Sequence, residues 1–298
     1  EYILIFEAFL VNIAIIFVSS INLFKEVLPD NFYFGIIILI LVSLFFILSM
    51  YLISIKEIKQ NKKLFYFISA ICILTILIGN IFSFLAGITM ILKIIHKDDD
   101  ISIEFVDILY RVFRNEMAVI GMFFVIFLFA LSIMSTFTFN YADAIENNYT
   151  ALLQTPSLIY PFGTDNYGRD VFSRIVFGAR ISLIIGVIST LIPIVVGGVL
   201  GALSGYYNGK ADNIIMRVLD ILYSVPSILL AIAIIAVFGA NVFVLIIALS
   251  ISAIPSYART VRASVISVSN MEFIEAAKAL GANKFVIIYK HIVPNVLS

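Results

Sequence analysis

The sequence predicts an all-α protein, a polytopic transmembrane helix bundle. Three observations lead there. Of the 298 residues, 62% are hydrophobic and only 13% are charged. Mean hydropathy is +1.12. The apolar residues also fall in continuous runs, and a run of about 18 or more is long enough to cross a bilayer as a helix. A soluble core would leave much of that apolar surface in water.

Two runs open the chain, Tyr2–Leu23 and Phe32–Ile55, and the lysine-rich link Lys56–Lys63 follows. Leu64–Ile95 is a third run. As one helix it would measure about 48 Å, a strongly tilted span. Gly79-Asn80 near its middle offers a tight hairpin instead. Lysine placement leaves both readings open. A single crossing puts the link's lysines outside, and a hairpin leaves spans of only about 15 residues. The polar stretch His96–Phe105 and the arginines of Leu109–Glu116 come next. The expected organisation is an N-terminal set of transmembrane segments over 1–95, a cytoplasmic link over 96–116, and a core over 117–298 with four spans.

The first core span is Met117–Thr136, followed by a polar, aqueous loop over Phe137–Pro161. Three spans follow at Ile181–Leu203, Leu222–Gly239 and Val242–Ala258. Gly205–Asn213 separates the first two, and Gly239-Ala240-Asn241 turns between the last two. Basic residues favour the cytosolic face. Starting Met117–Thr136 in the cytosol gathers Lys97, Arg111, Arg114, Lys210, Arg217, Arg259, Arg262, Lys278, Lys284 and Lys290 inside. Outside it leaves Arg169, Arg174 and Arg180, mixed with acids.

Within the spans, Gly197, Gly201 and Gly205 recur at four-residue steps on one helix face. In lipid, small residues let helix backbones approach closely. Pro193, Pro226 and Pro255 interrupt three successive spans and favour kinks. Asp220 lies three residues after Arg217, a spacing suited to an ion pair at the membrane edge. Arg169–Arg180 reads as an interfacial helix outside the membrane. Arg169, Asp170 and Arg174 face headgroups or a partner there, while Val171, Phe172, Ile175 and Val176 form its apolar side.

The stretch 269–294 is the candidate functional loop. Asn270 suits the N-cap of a helix that starts at Met271, and Glu272 and Glu275 lie in its early turns, where the macrodipole favours negative charge. Phe273, Ala277 and Leu280 share a face, with Ala276 beside them. Gly281 suits a left-handed exit. A second helical run, Lys284–His291, returns toward the membrane, and Pro294 stands where a further span would begin. Exposed apolar side chains on so short a helix call for a partner.

EAAKALGANKFVIIYKHIVP closely resembles the EAA loop of ABC-type importer permeases: Glu275, Ala276, Ala277, Gly281 and Pro294 all match. His291 replaces the isoleucine usual three residues before the proline, a form similar to that of the peptide branch. Three more stretches resemble second-subunit permeases for dipeptides, oligopeptides and nickel: FGTDNYGRDVFSRIVFGARISL (Phe162–Leu183), RNEMAVIGMFFVIFLFAL (Arg114–Leu131) and GYYNGKADNIIMRVLDILYSVPSILLAIAI (Gly205–Ile234). The resemblance runs over Arg111–Ser298. It implies a type I ABC importer permease-like core lacking its last two spans, with residues 1–95 as an addition; the resemblance gives that addition no role, and an accessory membrane anchor is the plain expectation. It implies that Phe273, Glu275, Ala276, Ala277, Leu280, Gly281 and Pro294 serve coupling to an ATPase subunit. The implied partners are two ABC ATPase subunits, a second permease subunit, an extracytoplasmic solute-binding protein and the lipid bilayer.

The remaining features narrow the alternatives. No Gly-x-x-x-x-Gly-Lys-Ser/Thr segment is present, so no cofactor is expected on this chain and ATP belongs to the partner subunits. Nineteen basic residues balance nineteen acidic ones, which gives no case for nucleic acid. Cys72 is alone, and His96 and His291 have no ligand spacing, so no metal site is expected. A membrane enzyme lacks a nucleophile–base set. An ion-gradient-driven secondary transporter needs polar groups near the bilayer midplane, and these are scarce in the second half.

Overall fold

Apolar composition dictates where helices form, and the computed structural model is helical almost throughout. It describes residues 1–25, 27–55, 62–95, 108–207, 209–283 and 286–297. Most of the link Lys56–Lys63, the polar stretch His96–Phe105 and Lys284 lie outside the described residues. Contacts divide the chain into two units, Glu1–Ile181 and Ser182–Ser298.

The first unit holds α1 (Tyr2–Ser20), α2 (Phe32–Ser54), α3 (Lys62–Leu74), α4 (Ile81–Ile95), α5 (Glu116–Thr138) and the start of α6 (Val171–Tyr207). A 3-10 turn, Ile21–Phe24, ends α1. The core gathers Ile5, Val11, Leu39, Phe46, Phe82, Met90, Ala130 and Met134 from α1, α2, α4 and α5. Asn115 caps α5 with its side chain, accepting from the amides of Met117 (3.1 Å) and Ala118 (3.3 Å).

The structure resolves the Leu64–Ile95 run as a hairpin. A 3-10 turn, Thr75–Ile78, leads into Gly79 at φ 84°, a left-handed conformation. A Cβ there would lie 2.7 Å from the Cα of Ala130, so glycine is required twice over. Asn80 is 2% exposed, and its Nδ2 donates to the carbonyl of Ala8 at 2.9 Å. Ala8 on α1 lies below Ser19 and Ala130 on α5 below Thr138, which places the tip roughly 12–16 Å short of their outer ends. The run is therefore a hairpin and not one tilted span. Its irregular tip is tolerated in an apolar setting because protein buries it and satisfies its polar groups. Its return leaves Lys62, Lys63 and Lys93 on one face, which removes the charge conflict seen in the sequence. Lys93 reaches Glu1 at 3.5 Å, at the end of α1 opposite Lys25.

The second unit continues α6 and adds α7 (Gly209–Ser224), α8 (Ser227–Phe238), α9 (Val242–Ser269), α10 (Glu272–Ala279) and α11 (Val293–Leu297). Three expectations need correction here. The Gly205–Asn213 segment is mostly helical: α6 runs to Tyr207 and α7 resumes at Gly209. The Leu222–Gly239 run is interrupted at Pro226 as expected, but by a full break rather than a kink within one helix: Pro226 is the N-cap residue of α8, where the chain bends by 85° from α7. Asp220 pairs with Arg259 at 2.5 Å rather than with Arg217, because α9 supplies the nearer cation and Tyr223 stacks beneath the same guanidinium at 4.1 Å. Pro193 and Pro255 remain inside continuous helices. Five described helices are long and apolar enough to cross a membrane, and the bent α7–α8 pair brings the number up to six.

Candidate functional site

The four-residue glycine spacing of α6 builds the second unit's main seam. Gly197, Gly201 and Gly205 are all buried. A Cβ on Gly197 would lie 2.9 Å from the Ile254 carbonyl oxygen, and one on Gly205 would lie 2.9 Å from that of Arg262. One on Gly201 would meet the carbonyl oxygen of Ala258. The three glycines thus step along α9 in register, backbone against backbone. Beside this seam, Arg262 of α9 grips Asp212 of α7 in a two-pronged pair at 2.6 and 2.5 Å, and Ser204 of α6 donates to the same carboxylate.

The seam carries α10 at its end. α9 continues unbroken to Ser269, and Asn270 is its C-cap, so Asn270 does not cap the next helix as its sequence position suggested. The N-cap of α10 is Met271, which makes no side-chain cap bond. Glu272 and Glu275 occupy its first turn and Lys278 its last. The helix closes in a Schellman motif: the Ala282 amide donates to Ala277 O at 3.1 Å and the Gly281 amide to Lys278 O at 3.0 Å. Gly281 sits at φ 78°.

Burial divides the loop residues differently from their sequence spacing. Ile274 and Ala277 face inward, onto Val265, Val268, Ile287 and Ile292. Ala277 is therefore part of the support and does not share the outward face of Phe273 and Leu280. The cause is the surface beneath α10, which helical periodicity alone does not define. Outward stand Phe273 (40% exposed), Leu280 (88% exposed), Glu275 and Ala276. The returning segment forms a π-helical turn, Ile287–Ile292, ahead of α11. Pro294 lacks an N–H and crowds the carbonyl one turn back, which such a widened turn accommodates. Pro294 is exposed.

Arg169, Asp170 and Arg174 are brought together in the first unit, though not as an interfacial helix. α6 starts at Val171 and runs on for 37 residues, about 55 Å, so the segment is simply the head of that helix. Val176 is buried and Ile175 is 51% exposed, so the expected apolar side is not preserved. Arg169 binds Asp165 at 2.9 Å, and Arg174 pairs with the same carboxylate. Burial would raise the Asp165 pKa. The amides of Arg169 and Tyr167 and the Arg169 guanidinium outweigh it and hold the carboxyl at about 2. A depressed carboxylate stabilises the loop fully above its ordinary value of 3.8, and the contribution is lost as pH falls toward about 2. Limited proteolysis of the outer loop is thus expected to accelerate as pH falls from about 4 to about 2, and Asp165→Asn is expected to remove that dependence.

Lys25 is the buried charged side chain that sequence reasoning missed. It lies between the outer ends of α1 and α6, bonded to Asp143 and Asp170 at 2.7 Å each. No local signal marks it, because its partners are 118 and 145 residues away.

These features define a class: a multi-pass membrane protein with a close-packed glycine seam that ends in a short, supported helix on the face rich in Arg and Lys. Residues 197–298 match the family described as the binding-protein-dependent transport system inner membrane component. Residues 105–156 match the N-terminal TM domain of oligopeptide transport permease C. The glutathione transport system permease protein GsiD of Escherichia coli O6:K15:H31 is 39% identical over 202 residues, covering 68% of this chain and 67% of that protein. GsiD of Pectobacterium atrosepticum is 39% identical over 188 residues, covering 63% and 62%. The dipeptide transport system permease protein DppC of Bacillus subtilis is 36% identical over 187 residues, covering 63% and 58%. The chain thus spans about three fifths of the length of these last two relatives. It belongs to the binding-protein-dependent inner-membrane permeases.

Proposed function

We propose that the chain is the membrane permease subunit of an ATP-driven ABC importer for peptides or related small solutes, with nickel chelates a further cargo of the same branch. The observation that carries this reading is α10. Its Ile274 and Ala277 are anchored on the end of the α6–α9 seam, while Phe273, Glu275, Ala276 and Leu280 stand outward. A partner that pushes on the outward face moves α9, because the two helices are joined through Asn270 and Met271 and share one core. Two ATPase subunits bind and hydrolyse ATP, and this chain contributes no catalytic residue. A second permease subunit completes the pathway, and an external solute-binding protein delivers the cargo. The relatives' glutathione and dipeptide names support the peptide class of substrate.

The test replaces Gly281 with Val and, separately, Glu275 with Ala in the assembled transporter. Val at φ 78° is strained by about 1–2 kcal/mol and re-aims the elbow, which corresponds to about tenfold in a coupling equilibrium. Substrate-stimulated ATP hydrolysis and uptake are expected to fall together by that factor in Gly281→Val, at normal membrane levels. Normal coupling in both variants would overturn the docking role.

A further inference from the structure

Lys25 is 7% exposed through its side chain, although it belongs to a loop between two membrane helices. Its Nζ donates to Asp143 Oδ2 at 2.7 Å, to Asp170 Oδ2 at 2.7 Å and to Ser173 Oγ at 3.1 Å. The Asp170 side chain is 1% exposed. Its Oδ1 accepts the Phe172 amide at 3.0 Å, in the first turn of α6, and its Oδ2 accepts the Ser173 hydroxyl at 2.6 Å. One lysine from the N-terminal segment therefore holds the residue that organises the head of α6.

The neighbouring contacts point the same way. Asn22 Nδ2 donates to Thr138 O at 2.8 Å, and Ser19 Oγ donates to Thr138 Oγ1 at 3.1 Å. A Cβ on Gly35 of α2 would lie 2.9 Å from the Cβ of Phe137. The outer ends of α1, α2, α5 and α6 thus meet around one buried cation. Taking the cation away leaves two carboxylates facing each other in a partly dry site, the arrangement that breaks a buried pair most severely.

We propose that the N-terminal segment is a brace for the outer face of the permease, and that Lys25 is its positioning residue. The brace sets the Asp143–Asp170 loop and the start of α6 in the arrangement that an external delivery protein meets. It is more than an added membrane anchor, because its fixing point lies in the outer loop itself. This role rests on the importer function proposed above.

The experiment uses the assembled transporter in proteoliposomes with its purified solute-binding protein. Lys25→Met and Lys25→Arg are each made with and without Ala144→Cys, a 6%-exposed reporter next to Asp143. A membrane-impermeant maleimide reads opening of the loop. The chain without the reporter corrects for Cys72. Lys25→Met is expected to raise labelling and to raise the half-stimulating binding-protein concentration by roughly tenfold, leaving the unstimulated ATPase rate unchanged. Lys25→Arg is expected to restore most of both. Unchanged labelling together with unchanged half-stimulation would overturn the brace. A parallel fall of stimulated and unstimulated rates, with no rescue by arginine, would overturn it too, since that marks a merely structural lysine. If the wild-type complex shows no stimulation by the binding protein, the importer reading fails, and the labelling comparison alone decides the brace.

Discussion

Gly201→Val is expected to abolish accumulation of the folded protein in the membrane. A Cβ on Gly201 meets the carbonyl oxygen of Ala258 and approaches within 3.0 Å of the Val261 Cβ and 3.1 Å of the Arg262 amide nitrogen. Two of these three neighbours are backbone, so no rotamer change relieves the clash. α6 must instead retreat from α9 along the whole seam, which also separates Gly197 and Gly205 from their carbonyls. Overpacking of this kind costs on the order of 3 kcal/mol. Lipid offers no compensating hydrophobic drive to re-form the pair. Gly198, which follows Gly197 on α6, has nothing within 4 Å of an added Cβ, so Gly198→Val is the matched control and is expected to accumulate normally. Membrane-fraction yield and the melting temperature in detergent measure both.

The second large effect is expected from Arg262→Met. Arg262 closes a two-pronged pair on Asp212, whose side chain is only 15% exposed. Removing the guanidinium leaves that carboxylate to the Ser204 hydroxyl, a neutral donor that cannot balance its charge. Losing one partner of a half-buried pair, with Arg262 itself 33% exposed, costs roughly 2 kcal/mol. α7 is then freed from α9, and thermal stability and uptake are expected to fall together. Arg262→Lys is expected to rescue only in part, since an ammonium cannot span both carboxylate oxygens. Asp212→Asn with Arg262→Met is expected to recover stability relative to Arg262→Met alone, because it removes the stranded charge.

The parts of the fold legible from residues were those that follow from local physics. α1, α2, α5 and α9 each contain a continuous apolar run long enough to be read without any knowledge of neighbours. Gly281 was legible because a glycine after a short amphipathic helix has one common use. The glycine steps of α6 were legible as a face, though the partner helix was not. What escaped depends on contacts distant in the chain. α7 carries too much polar sequence to read as part of a membrane helix, and the 85° bend before α8 separates the two. The Leu64–Ile95 hairpin turns on Asn80 finding Ala8, 72 residues away. The outward and inward faces of α10 exchanged Ala277 because the floor under that helix comes from α9 and the segment after Gly281.

The seam between α6 and α9 has a mechanical consequence. Its notches recur every four residues, and each receives a carbonyl from a ridge with the same repeat. A slide of one or two residues drives methyl-bearing positions into the opposing main chain. A slide of four residues, about 6 Å, brings tooth and notch back into mesh. The pair therefore behaves as a toothed rack: rigid against gradual creep, and able to change alignment only by a discrete jump.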